Sequence, residues 1–140
     1  MNLLDVFKDS ELDKQKNRIY GVVVAVVTNN DDPEKLGRVK VKFPWLSDKN
    51  ESSWARMLTP LAGQQRGFYH LPEPNDEVLV AFEFGDINRP IILGALWTGA
   101  NIPADTNKKK LTIQNTGDIT IESNNNIVIK GKSIDFQKAE

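Results

Sequence analysis
"LPEPNDEVLVAFEFGDINRPIILGALW", Leu71 to Trp97, is the stretch on which the fold turns. A proline-bearing turn, LPEPNDE, leads into VLVAFEF, and GDINRP makes a second turn into IILGALW. Both apolar runs are short, β-branched and bounded by turn formers, so they read as two strands of one hairpin. Gly85 and Asp86 suit a tight turn. Pro90 opens the second strand, where its missing donor costs least.

Upstream, the same period continues. IYGVVVAVV, beginning at Ile19, fits a buried strand, and the polar loop TNNDDPEKLG follows it. RVKVKFPWL then alternates, with Val39, Val41 and Phe43 on one face and Arg38, Lys40 and Lys42 on the other. That alternation predicts one buried and one solvated face. SWARMLTPLA supplies a further candidate strand. Five short strands with no helical period between most of them predict a small all-β barrel, since closure removes exposed edges. A five-stranded OB-type barrel over residues 18–98 is the expected architecture.

On either side the pattern changes. Residues 1–17 hold Leu3, Leu4, Val6 and Phe7 among charges, consistent with a frayed terminus or with a short docking helix. Residues 99–110, with Gly, Pro, Asn and a lysine run, read as a linker. Beyond it four apolar pairs recur: Leu111/Ile113, Ile119/Ile121, Ile127/Ile129 and Ile134/Phe136, starting at steps of eight, eight and seven residues. Members of a pair lie two apart and share one strand face. Between the pairs stand QNTGD, ESNNN and KGKS, all corner chemistry. One such strip buries too little apolar area to offset the entropy of ordering 26 residues. Three copies wound together would cover each strip with two others, an intertwined trimeric β-helical needle over residues 111–137. The competing arrangement is a meander packed on the barrel of the same chain.

Composition narrows the function classes. The 140 residues carry 18 basic and 19 acidic side chains, a net charge of -1, which argues against nonspecific nucleic-acid binding. With no cysteine, disulfides and thiolate metal sites are excluded. The first 15 residues hold acids where a signal peptide needs basic residues and an apolar run, and no stretch approaches the roughly 18 apolar residues of a membrane span. Synthesis and folding in the cytoplasm are expected. The sole histidine, His70, has no nucleophile or carboxylate signature beside it, so a surface or turn role is expected. No HExxH, Walker A or GxGxxG string occurs. Asn29 to Glu34, NNDDPE, shares only composition with a calcium loop and is expected to be solvated. No cofactor, metal site or enzymatic activity is expected. Phe68, Tyr69 and Trp54 could stack bases in an OB groove, or serve as core or interface residues.

The stretch from Leu71 to Trp97 resembles the barrel of the baseplate spike proteins of contractile phage tails (baseplate assembly protein V) and of the VgrG spikes of type VI secretion. The shared pattern is a proline turn, an acidic pair before a V-x-V-x-F strand, then G-D-x-x-R-P into an apolar strand ending in glycine. Here these are Pro74, Asp76, Glu77, Val78, Val80, Phe82, Gly85, Asp86, Arg89, Pro90 and Gly94. GRVKVKFPWL with SWARM matches the upstream half, including Gly37, Pro44 and Trp54. In that family the apolar ladder falls where the needle lies.

The resemblance implies a homotrimeric structural spike that sits on a hub and punctures the target cell envelope. Within it the eight ladder residues form the trimer interface. Ile134 and Phe136 form a terminal platform for a separate PAAR-like tip protein, because no histidine follows to build a metal tip. Gly85, Asp86, Arg89 and Pro90 are fold-determining turn residues, with Arg89 expected to pair with Asp86 or a neighbouring subunit. VgrG spikes carry a hub region ahead of the barrel, so the hub is expected to be a separate protein. No inserted lysozyme domain is recognisable. The finished particle would be a phage tail or contractile injection system. An OB-fold module binding single-stranded nucleic acid or glycan is the alternative function.

Overall fold
A computed structural model describes residues 18–46 and 50–140. The expected N-terminal docking helix over residues 1–17 lies outside the described residues. The chain divides into two compact units between Pro103 and Ala104.

In the first unit the strands are β1 (Val23–Asn29), β2 (Lys40–Lys42), β3 (Arg56–Met57), β4 (Ala62–Gly63), β5 (Arg66–Gly67), β6 (Glu77–Phe82) and β7 (Pro90–Ala95). Five form one sheet in the order β2-β1-β6-β7-β3, and β4 and β5 pair separately. Neighbours in the main sheet are antiparallel except β3 and β7, which run parallel with Arg56 opposite Ile91. Two isolated bridges, Val39 to Ala55 and Lys42 to Glu51, draw β2 towards the segment entering β3 and curl the sheet into a half-barrel consistent with an OB-type domain. Curling leaves few free edges.

Period-2 patterning builds the interior. Ala25 and Val27 from β1, Val39, Val41 and Phe43 around β2, Val78, Val80 and Phe82 from β6, Ile92 from β7, and Ala55 are all buried. The alternation read from RVKVKFPWL is therefore present in the structure. Within this core the Phe43 ring lies 5.7 Å from Phe82 and 5.9 Å from Trp45.

Turns set the register. In LPEPNDE the Asp76 carboxylate accepts from Glu73 N–H at 2.9 Å, while Asp76 N–H donates to Glu73 O at 3.0 Å. Asn75 takes a left-handed φ of 76°, which asparagine tolerates better than most residues. The same turn is stitched to β1, with Asn75 N–H donating to Val27 O and Val27 N–H to Asp76 O.

Between β6 and β7 the chain makes a 3-10 turn, Glu83–Gly85, with Phe84 and Gly85 both at positive φ. Here a glycine is required. A Cβ on Gly85 would lie 3.0 Å from Arg18 Cβ and 3.3 Å from Ile19 O.

In the second unit, Ala104–Glu140, the chain carries no strand, and no backbone-to-backbone hydrogen bond joins two residues within 111–136. The corners are closed locally: Asn115 Nδ2 donates to Asp118 O at 3.1 Å, and Asn125 N–H to Ser123 Oγ at 3.1 Å. No helix among the described residues is long and apolar enough to cross a membrane.

Candidate functional site
Several charged side chains of the first unit pair with one another. Between β1 and β2, Asp32 is buried and accepts from the backbone N–H groups of Glu34 and Leu36 at 3.0 and 3.1 Å. Arg38 donates to both of its oxygens and, at 2.6 Å, to Glu34. The Arg38 guanidinium, helped by those backbone donors, holds the Asp32 carboxyl well below the usual carboxylate range, although burial pushes the other way. The expectation of a solvated loop is thus corrected at Asp32. With the Arg38 backbone N–H at 3.4 Å, five donors meet this carboxylate and favour its charged form. Its neighbour Asp31 stays exposed.

Trp54 is half-buried, with Lys40 Nζ at 5.2 Å and the Arg38 guanidinium carbon at 6.0 Å from its ring centre. Its face is covered by the chain's own cations. Phe68 and Tyr69 are exposed, as is His70. Among the described residues no cluster of three His, Cys, Asp or Glu side chains could hold a metal ion.

The turn residues lie together. Asp86 accepts from Asn88 N–H through its side chain at 2.9 Å, and its backbone carbonyl accepts from Arg89 N–H. Arg89 does not pair with Asp86 through its side chain. Its guanidinium reaches Glu83 at 3.0 Å, and Arg56 reaches the other oxygen of the same carboxylate at 3.4 Å. Arg18 donates to Phe84 O from the adjoining strand entry. A shallow cleft lined by Arg18, Tyr20, Glu83, Phe84, Asp86 and Arg89 results, in which two guanidinium groups face two carboxylates.

Most of the exposed apolar surface lies elsewhere. All eight ladder residues, Leu111, Ile113, Ile119, Ile121, Ile127, Ile129, Ile134 and Phe136, are exposed in the single chain, from Ile134 at 47% to Leu111 and Phe136 at 89%. In the barrel, Leu61, Phe68 and Tyr69 stand out around the β4–β5 hairpin, and Val22 and Val24 on the outside of β1. Neither the hairpin nor this outer face was legible as a surface in the sequence, because Gly-Gln-Gln-Arg-Gly carries no strand pattern.

The model of the type VI secretion system/phage-baseplate injector OB domain matches residues 23–97. The actin cross-linking toxin VgrG1 of Vibrio cholerae is 37% identical over 99 residues, 65% of this chain and 9% of that protein. The type VI secretion system spike protein VgrG3 of Vibrio cholerae is 37% identical over 94 residues, 61% of this chain and 9% of that protein. VgrG5 of Pseudomonas aeruginosa, also a type VI secretion system spike protein, is 34% identical over 98 residues, 64% of this chain and 12% of that protein. The chain thus spans about a tenth of the length of these relatives. The matched residues are those of the curled sheet, its turns and its buried core. The chain belongs to the type VI secretion system/phage-baseplate injector OB domain family.

Proposed function
We propose that the chain is a homotrimeric spike of a contractile tail or injection system, in which the barrel forms a collar and residues 111–137 a needle. The observation that carries this reading is the extended segment after the barrel. Its apolar pairs are exposed, and no backbone-to-backbone hydrogen bond joins two of its residues. Groups left this way in one chain are matched when three copies wind together, each strip covering two others. On this reading the trimer sits on a hub, presents a rigid point to the target cell envelope, and is assembled into the particle from the cytoplasm. Light scattering after gel filtration is the test. A mass about three times the 15.7 kDa chain is expected, and a 15.7 kDa species at micromolar concentration refutes the needle.

In the last apolar pair, three copies of Ile134 and Phe136 would make an apolar platform. A patch of that kind usually marks an interface. The occupant proposed is a PAAR-like tip protein that carries any metal itself. Phe136→Asp should abolish co-purification with such a tip while the spike stays trimeric; retention of the tip would place its docking site elsewhere.

A further inference from the structure
The first unit presents two apolar surface features, an arm and a sheet face. The first is an arm. Every residue from Leu61 to His70 is exposed, yet the run is ordered as a hairpin, with Ala62 opposite Gly67 and Gly63 opposite Arg66. Phe68 N–H donates to Leu61 O at 2.9 Å, and Thr59 Oγ1 ties the base to Phe68 O at 2.9 Å. A two-stranded hairpin alone is marginal in water. This one displays Leu61, Phe68 and Tyr69, and Arg66 beside its tip has no ion-pair partner among the described residues.

The second feature is a face. β1, β6 and β7 are apolar on the outside as well as the inside. Register places Val24 opposite Leu79 and Ala81 opposite Ile91, with Val22 and Val26 alternating on the same outer side of β1. Strands apolar on both faces are normally covered on both. By contrast β2 turns lysines outward. Glu77, opposite Val26 at the margin of the face, has no ion-pair partner among the described residues.

We propose that the arm of one copy packs on the outer β1–β6–β7 face of the next copy, in a head-to-tail ring of three with Arg66 set against Glu77. This rests on the trimer proposed above. A threefold ring needs two different patches on each chain, one to give and one to receive, and the barrel offers these two. Arg66 lies on the giving patch and Glu77 on the receiving one, and opposite charges there favour this pairing. Chains already joined through their needles meet at high effective concentration, so a contact of modest area suffices.

The absence of native cysteine makes the geometry testable. Full-length protein carrying Phe68→Cys and Val24→Cys together is treated at low micromolar concentration with a short flexible bis-maleimide and run under denaturing conditions. Covalent trimer should be the main product, and either single variant alone should give almost none. Adding Ile121→Lys should remove the product. Arg66→Glu or Glu77→Arg alone, placed in the double-cysteine background, should lower the yield several-fold, and the two together should restore it. If light scattering shows a trimer while the double variant stays uncrosslinked, the arm-on-face contact is wrong and the spike reading stands. Covalent dimers from Phe68→Cys alone would mean that arms meet arms, which also overturns it. A monomer by light scattering removes both proposals.

Discussion
Asp32 and Arg38 clamp the loop between β1 and β2: Arg38 Nε donates to one carboxylate oxygen at 2.9 Å and Nη2 to the other at 3.0 Å. The pair is six residues apart in sequence, so it fixes the loop's span. Lys35 and Gly37, both at positive φ, are the positions where the backbone bends to allow it. Because Arg38 also lies over Trp54, the clamp ties the loop to the outer side of the barrel.

Asp32→Asn keeps the size of the side chain but removes the charge that five donors are arranged around. The expected result is a melting temperature several degrees lower at neutral pH, measured by scanning calorimetry. The sign of the pH effect follows from the lowered carboxyl. Its stabilising contribution is fully present above the ordinary carboxylate range near pH 4 and is lost as pH falls through that range and below it. The wild-type protein should therefore lose stability on acidification more steeply than the variant. Parallel curves from pH 7 to pH 2 would show that the clamp adds no charge-dependent stability.

Gly85→Ala tests the β6–β7 turn. Its φ of +75° and the contacts awaiting a Cβ from Arg18 and Ile19 predict a loss of about 1–3 kcal/mol in urea unfolding. Gly94→Ala meets nothing within 4 Å and should change stability little. Equal losses at the two sites would mean that the turn tolerates a side chain.

On the trimeric reading, Ile121→Lys and Glu122→Lys change neighbouring residues on opposite faces of the ladder. The first places three ammonium groups at one axis, and burying a single unpaired charge already costs several kcal/mol. It should dissociate the trimer, whereas Glu122→Lys should leave it intact. Gel filtration with light scattering decides, and identical behaviour of the two variants means the face assignment is wrong.

What was legible in the sequence was local. Alternation in RVKVKFPWL placed Val39, Val41 and Phe43 inside, and the turn formers of Leu71–Trp97 marked the β6–β7 hairpin; side chains two apart must share a face wherever the strand goes. The octad spacing of the apolar pairs was equally plain.

The tertiary structure alone decided which distant groups meet. The parallel pairing of β3 with β7 depends on how the sheet curls, which no period encodes. Arg89 reaches Glu83 rather than Asp86 because the 3-10 turn folds the start of the loop back beneath its end. Asp32 looks like Asp31 in sequence, and only the loop's path makes one a buried acceptor and leaves the other in water. The β4–β5 arm is two residues per strand, too short for any pattern, and its order rests on Thr59 Oγ1 donating to Phe68 O and Phe68 N–H donating to Leu61 O, which a linear reading cannot pair. Faces follow from the chain's own geometry, but partners follow from closure, where residues far apart in sequence compete for the same neighbour.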